Sequence, residues 1–396
     1  MKLAIYIAFK NLLGAGLRTW INVLVLSFSF VAIIWIKGIM LGWDHQAKSQ
    51  LIEWEIGHGQ YWHTNYDPND SFTWDDSHAS PSDTLLNAIK EGRYAAILVA
   101  QGVIYPEGRM VPVCLKGINT TQQVLKIPTS FLSQEENSKS SAIPVMMGAY
   151  MANSCQLKEG DQFLVRWRDK DGVFDAREME LVKVFATPVP TVDAGQIWLD
   201  CSTLQNMMGL NNEITLLSLP SNESNELLFS NEFQFKSKEF LLSDIEKMVQ
   251  MKSKGQSVFY LVLLVLAMLA IFDTQVLSVF KRRREIGTYI ALGYTRSEVV
   301  RLFTIEGGVY ALLASALALL YGYPFLLWQY RNGFKMPVDV AEFGIAGSNH
   351  IYPLFSLALI LGTFLLIAFT TLLVSYLPAR KIAALNPAET LKGRLS

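Results

Sequence analysis

KRRREIGTYIALGYTRSEVVRLFTIEGG, residues 281–308, places four consecutive cations and a short helix between two apolar stretches. A helix so placed sits at a membrane surface, where it can receive force from a soluble partner. Leu292-Gly293 ends that helix, because glycine takes the left-handed cap conformation at low cost. Thr295, with Glu298 three residues on, forms a capping box that starts the next. Two helices therefore meet at a corner near Tyr294.

Working outward, the chain of 396 residues is 51% hydrophobic with a positive mean hydropathy, too apolar for an ordinary soluble protein and too polar for spans alone. The apolarity concentrates in residues 20–41, 258–280, 309–328 and 351–377. Each is about as long as the roughly 20 residues a helix needs to cross the hydrocarbon core, so four transmembrane helices are expected. Lys37 alone interrupts the first, and its long stem can carry the ammonium to the interface. That stretch is too long for a cleaved signal peptide and lacks a small-residue cleavage site, so it reads as a retained anchor.

Lysine and arginine set the orientation. Lys2, Lys10 and Arg18 precede the first span, the corner is basic, and Arg380, Lys381, Lys392 and Arg394 follow the fourth. Between the third and fourth spans Arg331 and Lys335 stand against Asp339 and Glu342. Both termini are then cytoplasmic and the long segment after span 1 lies outside. The expected division is an N-terminus with helix 1 (1–42), an extracytoplasmic domain (43–254), helix 2 (255–280), a cytoplasmic corner (281–296), helix 3 (297–328), a short outer loop (329–350), helix 4 (351–377) and a cytoplasmic tail (378–396). The net charge of −1 hides this asymmetry, and nothing in it points to nucleic acid.

The outer domain reads as mixed α and β. Residues 95–105 and 110–118 are strand-like around Pro106-Glu107-Gly108, a hairpin signal, and residues 162–168 and 178–185 repeat this around 169–172. Short helices fit 83–89, 149–155 and 202–208, while 133–141 and 220–226 are polar loops. Residues 237–257 are helical and run into span 2. Gly255 leaves open a continuous stalk or a flexible juncture at 252–255. Cys114, Cys155 and Cys201 have apolar neighbours and read as buried thiols.

Just after span 1, His45, His58, His63 and His78 interleave with Trp43, Trp54, Trp62 and Trp74. The spacing matches no compact zinc pattern, so no metal site is expected. The aromatics are in keeping with a headgroup-level belt, or with a surface that touches a lipid or acyl chain leaving the bilayer, with Trp54, Tyr61, Trp62 and Tyr66 as the contact candidates. No GxxxxGK[ST], HExxH or GxSxG pattern occurs, so the chain is not expected to be an enzyme or to hydrolyse ATP.

Asp273 and Glu306 are ionisable at membrane depth, which costs at least about 2.5 kcal/mol. They read as a proton or ion relay, or as partners of Arg301, Arg282 or another chain. Gly307, Ala311, Ser315 and Ala318 recur at helical spacing, and Gly38 with Gly42 makes GxxxG, both of which permit close helix contact.

REIGTYIALGYTRSEVVRLFTIEG (284–307) resembles the cytoplasmic signature of FtsX-like permeases, the membrane subunits of type VII ABC transporters. Residues 10–38 resemble the basic approach to their first span, and LPARKIAALNPAETLKG (377–393) their C-terminal tail, where Asn386, Pro387 and Glu389 make physical sense as cap, first-turn proline and capping partner. The resemblance implies a coupling helix at 284–292 that docks on an ABC ATPase dimer, with Arg284, Glu285, Ile286, Gly287, Tyr289, Ile290, Leu292 and Gly293 in the coupling region. Ile286, Tyr289, Ile290 and Gly293 form the contact side by their spacing. It implies no cofactor on this chain, ATP and magnesium in the ATPase, and a second permease, identical or homologous. Asp273 departs from the asparagine the family often carries before the threonine.

Within the family, GHGQYWH (57–63) and IPVMMGAYMANSCQLKEGDQFLV (143–165) resemble lipoprotein-releasing permeases of the LolC and LolE type. That implies extraction of lipoproteins from the bacterial inner membrane by mechanotransmission, and hand-over to a periplasmic carrier. The alternatives are a MacB-like exporter of peptides or small molecules, and an FtsX-like scaffold that activates a cell-wall hydrolase.

Overall fold

The computed structural model describes residues 17–133, 142–221, 232–335 and 350–383. Lys2, Lys10, the loops at 134–141 and 222–226, Asp339, Glu342 and the cap at Asn386 to Glu389 lie outside the described residues. The chain divides into two compact units, one of residues 17–43, 249–335 and 350–383, the other of residues 44–133, 142–221 and 232–248.

The described helices are α1 (Leu17–Leu51), α2 (Asp83–Lys90), α3 (Ala149–Cys155), α4 (Pro190–Asp193), α5 (Cys201–Met208), α6 (Lys238–Lys281), α7 (Arg283–Ala291), α8 (Arg296–Asn332) and α9 (Leu357–Ala383). The strands are β1 (Gly59–His63), β2 (Ala95–Tyr105), β3 (Val111–Ile118), β4 (Ile143–Gly148), β5 (Gln162–Arg168), β6 (Phe174–Phe185), β7 (Gln196–Asp200), β8 (Leu216–Ser218), β9 (Phe233–Ser237), β10 (Phe334–Lys335) and β11 (His350–Ile351).

Three of these helices are long and apolar enough to cross a membrane, against the four that the sequence predicts. They are α1 with the π-helical turn Ile52–Ile56 that follows it, α8, and α9. The fourth expected span falls in α6, whose apolar stretch among the described residues is Ser257–Leu266. Between the stalk and the juncture the backbone takes the first, since α6 runs through Gly255 without a break.

The membrane unit owes its packing to small residues at close approaches. Val23, Phe30 and Ile34 of α1 bury against Tyr310, Ala314 and Ala318 of α8 and Val374 of α9. A Cβ on Gly307 would overlap Ser375, and one on Gly322 would overlap Val31, so these glycines let α8 approach α9 and α1. The Gly38 and Gly42 notch takes no helix. Cβ atoms there would overlap the Phe355 ring and the Tyr352 carbonyl, and Leu354 N–H donates to the Gly38 carbonyl at 2.9 Å. Residues 350–356 are therefore extended, and helix 4 starts at Leu357 rather than at 351. Pro353 opposes an earlier start, and the Ser356 hydroxyl accepts Leu359 N–H at 3.1 Å as a cap.

In the second unit, which the sequence reading expects to lie outside the membrane and which is called the outer unit below, the pairings β2 with β3, β3 with β7, β7 with β4, β4 with β6, β6 with β5 and β5 with β2 close a ring. Period-2 alternation fills this small barrel. In β5 Phe163, Val165 and Trp167 point in while Gln162, Leu164, Arg166 and Arg168 point out. Trp167 donates its indole N–H to the Met207 carbonyl at 2.8 Å, so the buried ring leaves no donor unpaired. Gly102 faces Leu115, and a Cβ there would crowd it. Strands β8, β1 and β9 extend the sheet from β2. The two hairpins and the three short helices lie where the sequence puts them, and all three cysteines are free and buried.

Candidate functional site

The corner is built by local rules. Gly293 takes φ +95°, Tyr294 N–H donates to the Tyr289 carbonyl at 3.0 Å, and the Thr295 and Glu298 capping box is complete. These close α7 and open α8 within a few residues.

Ile286 is 1% exposed and packs with Val299 and Phe303 of α8 and Ala379 of α9, while Tyr289 and Ile290 lie partly buried against the same cluster. Of the expected contact side, Ile286 is thus used to seat α7 on the chain's own helices, while Tyr289 and Ile290 keep part of their surface open. Gly287 is buried as well, whereas Gly293 is exposed and Leu292 is 73% exposed, with Thr288, Ala291 and Tyr294 also open. For Arg284 and Glu285 only the helical backbone is described.

Below the corner, Glu306 is 4% exposed and accepts a hydrogen bond from Arg282 at 2.9 Å. The Arg282 guanidinium lies 5.0 Å from the centre of the Phe303 ring. Of the two readings of Glu306, pairing with Arg282 is the one the geometry takes. Asp273 stands exposed on α6. Phe303 and Ala379 carry no motif that marks them in the sequence. Their only signal there is a position inside the two segments, 284–307 and 377–393, that carry the family resemblance.

In the outer unit a cavity of about 760 Å³ is lined by Glu55, Trp62, Tyr66, Lys116, Lys236 and Phe240 among others. Trp62 meets Tyr66 edge-on at 5.4 Å and Phe240 at 6.5 Å, and Lys236 Nζ lies 5.8 Å from the Trp62 ring. The Trp62 indole donates to Gln60 Oε1 at 2.6 Å. Lys116 is buried, 3.9 Å from Glu55 and 5.1 Å from the Trp198 ring centre. Burial pushes the Tyr66 phenol well above its ordinary range, so it stays neutral.

Of the four aromatic candidates, Trp62 and Tyr66 line this cavity and Trp54 adjoins it in the same core, stacked on Phe185 at 6.1 Å. Tyr61 does not. As the neighbour of Trp62 on β1 it points to the opposite face, 5% exposed, against Phe235, Leu85 and Ile89. Among the interleaved histidines, His78 Nδ1 meets Glu213 Oε2 at 2.5 Å, and the His63 ring lies edge-on to Phe233. Among the described residues no three His, Cys, Asp or Glu side chains are grouped to hold a metal ion.

Residues 257–387 match the family described as FtsX-like permease C-terminal. That stretch, about a third of the chain, is similar to FtsX-like permeases. The corner and the Arg282 and Glu306 pair both lie inside the matched stretch. Over 130 residues the chain is 29% identical to the macrolide export ATP-binding/permease protein MacB of Salmonella typhimurium, covering 32% of this chain and 17% of that protein. An ABC transporter permease of Methanocaldococcus jannaschii is 28% identical over 130 residues, covering 33% and 30%. MacB of Shewanella sp. is 27% identical over 217 residues, covering 50% and 31%. The chain thus spans less than a third of the length of each of these relatives. The extracellular domain of the ABC-type transporter YknZ from Gram-positive bacteria aligns with 45% of the chain and 99% of its own length at 12% identity and a TM-score of 0.29, a likeness too weak to carry an argument.

Proposed function

We propose that this chain is the permease subunit of an ABC complex of the lipoprotein-releasing type, set in the bacterial inner membrane with both termini cytoplasmic. ATP and magnesium act in a separate ATPase dimer that docks on the exposed side of the corner, at Thr288, Ala291, Leu292 and Tyr294. A second permease, identical or homologous, completes the membrane part. ATP-driven movement extracts the acylated protein and a periplasmic carrier receives it.

The observation that carries this reading is the aromatic cavity of the outer unit. Its volume lies in the range of about 300–1,000 Å³ that ligand sites occupy. Trp62, Tyr66 and Phe240 offer apolar faces, and each methylene they shelter from water is worth about 0.8 kcal/mol. A photoreactive phenylalanine in place of Trp62 should crosslink to lipoprotein when cells are irradiated, and the same residue in place of Tyr61 should not. Crosslinks from neither position would sink the reading.

A second reading, favoured by the similarity to proteins named as macrolide exporters, makes the chain an exporter permease for small molecules. Deleting the gene would then raise macrolide susceptibility and leave lipoprotein release unchanged.

A further inference from the structure

A groove of about 630 Å³ runs along the membrane unit between α1, α6 and α9. Its polar residues gather toward one end. Lys37, Ser257, Tyr260 and Ser356 line that end, with Met40 and Leu41 of α1 beside them, and Ile33, Leu264 and Leu366 line the other. Two contacts set the level of the polar end: Lys37 Nζ lies 5.4 Å from the centre of the Tyr260 ring, and Gly38 packs on Phe355. From that level Ile33 is one turn back along α1, Leu264 one turn on along α6, and Leu366 more than two turns on along α9. The groove therefore has a head end with a cation and hydroxyls, and a tail end of aliphatic side chains.

An ammonium at membrane depth is held at a cost, and such residues mark sites where a partner offsets it. A ring face attracts the Lys37 ammonium but takes none of its N–H donors along a lone pair, so the group remains able to donate to an oxygen acceptor. Ser356 Oγ accepts Leu359 N–H at 3.1 Å, and its own O–H is a donor directed by rotation.

We propose that this groove holds one glycerophospholipid with an anionic headgroup, its phosphate oxygens on Lys37 and Ser356 and one acyl chain along Ile33, Leu264 and Leu366. Charge decides between the two lipids that such a groove meets. The acyl anchor of a lipoprotein is uncharged and gives the ammonium nothing to bind, whereas an anionic phospholipid completes it. The site is separate from the outer-unit cavity and stands whether or not lipoproteins are the cargo.

The test is native mass spectrometry of the full chain in mild detergent, titrated with phosphatidylglycerol, phosphatidylcholine and diacylglycerol of identical chains. The wild-type protein should take up phosphatidylglycerol in preference to the other two. Lys37→Gln should weaken phosphatidylglycerol uptake about fivefold, the effect of about one lysine near a charged lipid, and leave phosphatidylcholine nearly unchanged. Lys37→Arg should retain the preference, and Leu264→Trp, which fills the tail end, should lower uptake of all three lipids. If Lys37→Gln does not fold, the preference in the wild type and the loss in Leu264→Trp decide the matter. Equal uptake of the three lipids, or phosphatidylglycerol uptake untouched by Lys37→Gln, overturns the proposal. Preference for diacylglycerol overturns it too, and assigns the groove to an uncharged anchor.

Discussion

Arg282 and Glu306, 24 positions apart in the chain, meet at 2.9 Å, so a carboxylate on α8 neutralises the last cation before α7 begins. The Glu306 side chain is 5% exposed and that of Arg282 18%, so the pair is part-buried and its carboxylate is the deeper member. Its net attraction matters less than the charge left stranded in the interior when either partner is lost.

Removing one charge should therefore hurt more than removing both. Arg282→Ala is expected to destabilise the protein by about 3–5 kcal/mol, the usual cost of an uncompensated buried charge. Arg282→Met combined with Glu306→Met should recover much of that loss. Thermal unfolding of the three proteins in one detergent checks this, and equal losses in single and double variants would show that the two groups are not coupled.

Adjacent glycines should behave differently. A Cβ on Gly307 overlaps Ser375 Oγ and Cβ, while one on Gly308 comes no nearer than 3.0 Å, to the end of the Leu372 side chain. Gly307→Ala should cost about 1–3 kcal/mol by overpacking. Gly308→Ala should be nearly neutral, because a leucine end can rotate away. Unfolding midpoints of the two variants make the comparison directly.

On α7 the buried and exposed sides should separate stability from partnership. Ile286→Ala removes a side chain that is 1% exposed and should cost about 2–5 kcal/mol. Leu292→Ala and Tyr294→Ala should leave the unfolding midpoint within experimental error and cut the amount of ATPase recovered with the tagged chain. A stable Ile286→Ala with lost ATPase would reverse the two sides.

The thiols of Cys114 and Cys201 should be silent near neutral pH. Burial pushes Cys114 up to about 11 and Cys201 up to about 12. Because the reactive thiolate appears only near those values, maleimide labelling of these two positions in the folded protein should stay slow from pH 7 to about 9 and become fast in denaturant. Stability shares this dependence. A thiol whose pKa is raised on folding contributes fully below its unfolded value, about 8.5, and that contribution is lost as pH rises from there through the folded value.

The features legible from residues alone are local ones. Gly293, Thr295 and Glu298 act within one turn of each other, so the corner can be read without knowing any contact. The hairpin at Pro106 to Gly108 is legible for the same reason. Barrel closure is not, since β3 meets β7 and β4 meets β6 in parallel, and each pairing spans intervening strands that composition does not order. Two subtler signals are present in the sequence. Period 2 on β1 separates Tyr61 from Trp62, and Pro353 argues against a helix that begins at 351. For α7 the apolar face is visible at Ile286, Tyr289 and Ile290, but which protein covers it is a tertiary fact.

Strand β1 carries an implication for synthesis. It is synthesised soon after α1, yet both of its partners, β8 and β9, come from the far end of the outer unit. Trp62 cannot settle against Phe240 until α6 has begun to emerge. A chain cut or stalled before Phe233 would hold β1 with no β9 beside it, its hydrogen-bonding edge bare and its tryptophan in water. Such a fragment is the form that quality-control proteases should find first.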